Sequence, residues 1–209
     1  MTTLSDPPTQ VGADVVVAPS ASVEDGARVG PGAQVWDQSV VRAGAEVGAG
    51  TIVGRGVYIG PGARLGARCK VQNQALVYEP AVLEDGVFIG PAVVLTNDTY
   101  PRAVTPDGRL KTADDWEAVG VTVREGASIG ARAVCVAPVT IRRWASVGAG
   151  AVVTRDMPDH ALVVGTPARR VGWVGRSGVP LVAGGNNHWT CPLSGEAYTE
   201  IDGRLEEVR

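Results

Sequence analysis

Aromatic side chains are scarce in this sequence: one phenylalanine, four tyrosines and five tryptophans in 209 residues. Rings normally supply much of a globular core, so this interior has to be narrow and filled by small and β-branched residues. Histidine is scarcer still. His160 and His188 are the two present, too few for a catalytic zinc site built on three imidazoles. Three cysteines, an odd number, make no disulfide framework. Cys69 and Cys135 fall at positions read below as inward, where a thiol acts as a small hydrophobe. No apolar run approaches the ~18 residues of a membrane span. The opening Met1-Thr2-Thr3-Leu4-Ser5-Asp6-Pro7-Pro8 lacks the charged and apolar regions of a secretory leader, so the cytoplasm is the expected compartment. A net charge of −3 offers no basic footprint for nucleic acid.

What the chain has instead is glycine, 28 residues of it, and a ladder. Every sixth residue from Val11 to Leu95 is aliphatic: Val11, Val17, Val23 and Val29, on through Ile59, Leu65 and Ile89. The residue four places after each rung is small or medium, as in Ala27, Ala33, Ser39, Thr51, Cys69 and Ala75. A fixed short period held for fifteen hexads is the mark of a stacked-coil solenoid. A period of six does not fit an α-helix, and the recurring Gly and Pro, as in Pro31-Gly32 and Pro61-Gly62, supply tight corners. The rung and the residue four later point inward. Three hexads make one triangular coil of about eighteen residues, with neighbouring coils about 4.8 Å apart.

The ladder resumes at Val123, Ile129, Cys135, Ile141, Val147 and Val153, giving about seven coils in all. Residues 1–10 read as a polar lead-in and 11–170 as the solenoid. The segment 101–122, with Pro101, Pro106-Asp107-Gly108 and Trp116, is too long for a mere connection and reads as an ordered functional loop. Residues 171–209 read as a C-terminal cap, because an exposed ladder edge invites aggregation. Within it, Ala197–Ile201, Asp202-Gly203 and Arg204–Val208 form a predicted hairpin with a type I′ turn.

Positions eighteen apart share a face. Val40, Tyr58, Leu76 and Val94 make an outward apolar stripe that a soluble monomer rarely exposes, and this is the predicted subunit interface. Arg28, Glu46, Arg64 and Val82 mark a second face, and Gln34, Ile52, Lys70 and Phe88 a third. At the corner after the apolar stripe, Glu79 and Asn97 stack on adjacent coils, with Asp98 next in sequence.

The hexad pattern resembles the left-handed parallel β-helix of hexapeptide-repeat acyltransferases. Handedness comes from that resemblance alone, since parallel crossovers are generally right-handed. Within the pattern, Val71-Gln72-Asn73, Val77-Tyr78-Glu79, Leu83-Glu84-Asp85 and Thr96-Asn97-Asp98 leading to Pro101-Arg102 resemble the N-acetyltransferases that act on nucleotide-linked 3-amino sugars. The likeness runs on through Ala161-Leu162-Val163-Val164-Gly165-Thr166-Pro167-Ala168-Arg169-Arg170 to Gly172-Trp173, nearly the whole chain. It implies an acetyl-CoA donor, a dTDP- or UDP-linked sugar acceptor, a homotrimer with its site between subunits, and no metal.

Carried over by position, the resemblance implies that Asn97 and Asp98 meet the amine and its sugar. Glu79, Gln72, Asn73, Tyr78 and Arg102 would help bind the acceptor. Gln72 stands where some relatives carry a histidine contributed across the interface. Gly130-Ala131 and Gly148-Ala149 would border the pantetheine arm, with Arg169 and Arg170 near the coenzyme A phosphates. Taken alone, Glu79 is an ordinary corner carboxylate and Arg169 an ordinary surface arginine.

A sugar amine titrates near the α-amino reference of about 8, so a strong protein base is not obligatory. This suits a chain where Val35-Trp36-Asp37-Gln38 lacks the histidine of some relatives and His160 replaces an aromatic. The same scarcity argues against the zinc carbonic anhydrases of this fold. In the tail, Val174-Gly175-Arg176-Ser177-Gly178 and Trp189-Thr190-Cys191-Pro192-Leu193-Ser194-Gly195 resemble zinc-ribbon knuckles with one cysteine of four, so metal is not expected there. Two other readings stay open: the same donor with another amino-sugar or hydroxyl acceptor, and a non-catalytic structural solenoid.

Overall fold

The computed structural model describes residues 9–208. The lead-in expected over residues 1–10 lies, for 1–8, outside the described residues. Gln10–Val11, Val16–Val17 and Ser22–Val23 form the three sides of the first coil, and two-residue strands recur at every hexad through Val94–Leu95. Each as far as Leu76–Val77 pairs in parallel with the strand eighteen residues on: Arg64 with Val82, Lys70 with Phe88, Leu76 with Val94. The stack steps from Val82 to Thr122, Phe88 to Ser128 and Val94 to Val134 without losing register, so the extra chain between Leu95 and Val121 is looped out of the stack. Seven complete coils result among the described residues. Ala161–Val164 then adds a parallel strand to Ser146–Val147, and Arg169–Trp173 closes that face antiparallel.

The interior matches the residue sizes of the ladder. Val35, Val41, Val53, Ile59, Val71 and Leu95 are fully buried, as are the small partners Ala33, Ala45, Ala63, Ala75 and Ala81. Val11 and Val17, expected to point inward, are 52% and 40% exposed, because the first coil has a neighbour on one side only among the described residues. Two inward hydroxyls are satisfied by the coil above. Ser39 Oγ donates to the Gly54 carbonyl at 2.6 Å, and Thr51 Oγ1 donates to that of Gly66 at 2.8 Å. The Cys135 thiol, sealed in the core, is pushed up to about 12 by burial and is chemically inert.

The loop ends at residue 120 rather than 122, since Val121 already pairs with Val139. The predicted hairpin pairs Ala197–Ile201 with Arg204–Glu207, and Asp202 and Gly203 both have positive φ, 49° and 72°, as a type I′ turn needs. The hairpin belongs to a four-stranded antiparallel sheet with Val182–Gly185 and His188–Thr190. His160, Trp173 and Tyr198, all buried, fasten this sheet to the last coil. The His160 ring sits 5.3 Å from that of Tyr198. Among the described residues, no helix is long and apolar enough to cross a membrane.

Candidate active site

Three outward faces meet at three corners, and the candidate residues other than Arg102, Arg169 and Arg170 lie on two of them. Both corners border the face carrying Tyr58, Leu76 and Val94. The corner that follows this face stacks Arg42, Gly60, Tyr78 and Thr96 in one column, with Glu79 and Asn97 beside the last two. The corner that precedes it stacks Trp36, Gly54, Gln72, Gly90, Gly130 and Gly148, each coil hydrogen-bonded to the next through backbone groups. Within one chain, therefore, Glu79, Asn97 and Asp98 are brought together, while Gln72 and Asn73 sit across the apolar face from them.

Glu79 is the unusual member. Its Oε2 is the one buried side-chain nitrogen or oxygen without a hydrogen-bond partner among the described residues. The carboxylate occupies a notch left by Gly60, where an added Cβ would fall 2.3 Å from Oε2. A buried acceptor without a donor is costly, and a ligand N–H or O–H relieves that cost. Tyr78 packs its ring against Tyr58 at 5.4 Å, and the Tyr58 hydroxyl accepts from Arg42 at 3.2 Å. Arg42 is itself held by Glu24. This ladder of aromatic and charged groups braces the base of the notch.

One coil higher, the Asn97 carbonyl accepts from Val119 N–H at 3.0 Å, pinning the far end of the long loop to the site. The Asp98 Oδ1 accepts from Tyr100 N–H at 2.8 Å and so turns the chain into the loop. The Asn97 side chain makes no hydrogen bond among the described residues. Arg102 lies farther out, its guanidinium donating to the neighbouring Pro101 carbonyl. The loop is ordered by its own contacts. Arg109 pairs with Asp115 at 2.5 Å, and Asp115 caps the turn Ala113–Asp115 through Thr112. The guanidinium holds the Asp115 carboxyl well below the usual carboxylate range. Trp116 is 36% exposed and Tyr100 82%.

The upper end of the molecule is cationic. Residues 124–176 contain eight arginines against three carboxylates, in a chain whose net charge is −3. Arg132 and Arg169 form no salt bridge among the described residues, and Arg169 donates to the Ala168 carbonyl. Arg170 is committed to the tail: it pairs with Glu200 at 3.1 Å and lies 4.1 Å over the Trp173 ring. Arg169 is thus the better placed of the two for an anionic ligand. Gly130-Ala131 and Gly148-Ala149 form the upper track of the corner that carries Gln72 and Asn73.

His160 is structural. Its Nδ1 is 3.0 Å from the Val174 carbonyl, and burial lowers its pKa, so the ring is neutral and ties the tail to the last coil. In the tail, the Cys191 thiol lies 3.2 Å from Ser177 Oγ and 3.5 Å from the amide nitrogen of Ser194. Among the described residues there is no cluster of three or more His, Cys, Asp or Glu able to hold a metal.

Sequence reasoning missed Gly60, the residue that makes room for Glu79. It also passed over Arg55 on the Asn73 corner, which donates to Gln38 Oε1 at 3.0 Å and 3.1 Å. Counting by eighteens places Gly60 under Tyr78, but that the Glu79 side chain folds back over it is a matter of rotamer.

The fold is that of the hexapeptide-repeat acyltransferases, a left-handed β-helix. A UDP-N-acetylglucosamine acyltransferase, LpxA from Bacteroides fragilis, superposes with a TM-score of 0.64 at 14% identity, over 80% of this chain and 71% of that one. A serine-to-threonine variant of AntD, an N-acyltransferase from Bacillus cereus solved with dTDP and coenzyme A, superposes with a TM-score of 0.55 at 19% identity, over 80% and 84%. At these identities the likeness defines the fold.

A more particular likeness lies in the sequence. The chain is 48% identical over 52 residues to a dTDP-3-amino-3,6-dideoxy-alpha-D-galactopyranose 3-N-acetyltransferase from Aneurinibacillus thermoaerophilus. That match spans about a quarter of either chain, 25% of this one and 27% of the relative. No family profile matches the chain.

Proposed function

We propose that this protein is an acetyl-CoA-dependent N-acetyltransferase acting on the 3-amino group of a nucleotide-linked 3-amino-3-deoxy sugar. The observation that carries the reading is the buried, unpartnered Glu79 carboxylate oxygen beside the Asn97-Asp98 pair. An amino sugar brings the N–H and O–H donors this corner lacks. The curated relative, by name a 3-N-acetyltransferase of a dTDP-linked 3-amino sugar, supports the choice of acceptor. The cationic upper coils suit the phosphates of coenzyme A, with the pantetheine arm along Gly130-Ala131 and Gly148-Ala149 and Arg169 near the phosphates.

In this reading Asp98 holds and orients the amine, Asn97 fixes the sugar ring, and Glu79 takes a hydrogen bond from the acceptor. The neutral amine, available because a sugar amine titrates near 8, attacks the thioester carbon. The N–C bond forms, the C–S bond breaks, and the amine proton passes to the departing thiolate. Positioning supplies most of the acceleration. Neither histidine is needed, in keeping with the neutral, tail-bound His160.

The two half-sites flank one apolar face, which suits a cyclic homotrimer. In a heterologous ring, one edge of each chain meets the opposite edge of the next. The Glu79–Asn97 corner of one subunit then faces the Gln72–Asn73 corner of its neighbour. We place the enzyme in the cytoplasm, where acetyl-CoA and nucleotide sugars are made.

The test is thiol release from acetyl-CoA against dTDP- and UDP-linked 3-amino sugars. Release with at least one is expected. Release only with a hydroxyl acceptor, or with none, overturns the proposal.

A further inference from the structure

Arginines in the lower coils are matched with carboxylates, save one. Arg28 and Arg64 pair with Glu46, Arg42 with Glu24, and Arg68 with Asp85. Arg55, on the same coils, has no carboxylate partner among the described residues. Spacing alone would give it Asp37, eighteen residues earlier. Instead the Asp37 Oδ1 accepts from Ser20 Oγ at 2.8 Å on the coil below. Arg55 spends two of its five N–H donors on the neutral Gln38 Oε1. Its charge is left uncompensated on an exposed corner.

That corner is otherwise shaped. A cavity of about 450 Å³ opens there, lined by Gln38, Arg55, Gly56, Asn73, Gln74 and Pro91, within the roughly 300–1,000 Å³ range of small-molecule sites. Asn73 Oδ1 accepts from Arg55 N–H at 3.0 Å, which turns its amide nitrogen outward. Gly54 is required for this, because a Cβ there would meet Asn73 Oδ1 at 2.7 Å. Trp36 lies directly beneath Gly54 in the column and is 42% exposed.

We infer that this lower half of the corner, Arg55 with Gln38, Asn73 and Trp36, is the subsite for the nucleoside diphosphate of the acceptor. The inference rests on the acyltransferase reading above. Donor and acceptor meet end to end at the thioester carbon, so their bulky ends point apart. Acetyl-CoA takes the upper coils, from Gly130 toward Arg169. The nucleotide therefore runs down from Gln72 and Asn73, toward Arg55 one coil below and Trp36 two coils below, roughly 10 Å at the usual strand spacing. There the guanidinium forks onto a phosphate and the indole stacks on the base, as aromatic side chains do with any nucleobase.

The experiment measures dTDP and UDP binding to the whole protein by calorimetry, alongside steady-state kinetics. Arg55→Met and Trp36→Ala should each weaken binding of the preferred nucleoside diphosphate, and raise KM for the nucleotide sugar, at least tenfold. KM for acetyl-CoA should stay within twofold. Arg55→Lys, which keeps the charge and loses the fork, should fall between Arg55→Met and wild type. Arg55 is exposed, so Arg55→Met should retain the wild-type Tm and mass. Wild-type turnover with undiminished nucleotide binding in Arg55→Met overturns this subsite and leaves the proposed function standing. Failure of the wild type to bind either nucleotide or to release thiol overturns both.

Discussion

At the scale of single residues, Gly60 decides whether Glu79 can stand where it does. The substitution Gly60→Ala would place a methyl 2.3 Å from Glu79 Oε2 and 2.8 Å from the Glu79 backbone nitrogen. Part of the effect is overpacking, typically 1–3 kcal/mol of stability. Gly66 offers a matched control at a different corner, where a Cβ would meet Asp85 Oδ1 at 2.6 Å and the Asp85 nitrogen at 2.7 Å. Both alanine variants should lower Tm by similar amounts. Gly60→Ala should also cut kcat/KM for the amino sugar at least tenfold, whereas Gly66→Ala should not. Equal activity in the two variants would remove Glu79 from the site. His160 gives a second residue-scale test. Its folded pKa lies below the ordinary value of 6.5 because burial disfavours the charged ring. The unfolded chain therefore binds the proton more readily, and this contribution to stability, present above about pH 6.5, is lost as pH falls through the folded pKa. Wild-type Tm should drop between pH 7 and pH 5. His160→Phe should show a shallower drop and near-normal turnover, while Asn97→Ala cripples turnover. A His160→Phe protein that folds but is inactive would refute the mechanism.

At the scale of elements, the loop after Asp98 is held by one strongly paired carboxylate. Asp115 accepts from Arg109, from the Thr112 backbone and from the Thr112 hydroxyl, and it is the end post of the only turn of helix among the described residues. Asp115→Asn should speed amide exchange across residues 101–120 and raise KM for the amino sugar several-fold. Global Tm should barely move, because no residue of 101–120 is buried and Val119 alone among them packs against the coil interior. Unchanged exchange would show that the Arg109–Asp115 pair does not order the loop. The same element shows what was legible beforehand. The ladder announced where the loop interrupts the stack, since period and register are properties of sequence. The expected close at 122 is two residues late, because Val121 holds the inward position two before the Val123 rung, as Ala81 does before Leu83, and already pairs with Val139. The Asp202-Gly203 turn predicts one hairpin in the tail, whereas four strands form. Val182–Gly185 and His188–Thr190 carry no clear alternation and are recruited by tertiary contacts. Arg55 was illegible for a related reason: spacing assigns it to Asp37, and only side-chain geometry shows that Ser20 has taken that carboxylate.

At the scale of the whole molecule, the proposed trimer predicts that one chain alone is an incomplete site. Glu79, Asn97 and Asp98 lie on one edge of the apolar face, and Gln72, Asn73 and the glycine track lie on the other. The face between them presents Val40, Tyr58, Leu76, Val94, Val134 and Val152 outward, none fully buried in the single chain. A continuous outward apolar stripe suits a contact face, and the proposed ring of chains would cover it while joining opposite edges. Leu76→Glu places a charge at its centre without touching the interior, because Leu76 points outward and its neighbour Val77 fills the core. Far-UV circular dichroism and Tm of the isolated coils should therefore change little, while light scattering should report the mass of one chain. Activity should fall to background, since neither corner alone holds both substrates. Mixing supplies the decisive arm. Two chains, one carrying Asn97→Ala and the other Gln72→Ala with Asn73→Ala, are each inactive alone. Co-expressed, they should regain a fraction of wild-type activity, because some interfaces pair two intact corners. Recovery is possible only if the corners meet across subunits, and its absence in a mixed trimer of correct mass would place the whole site within one chain.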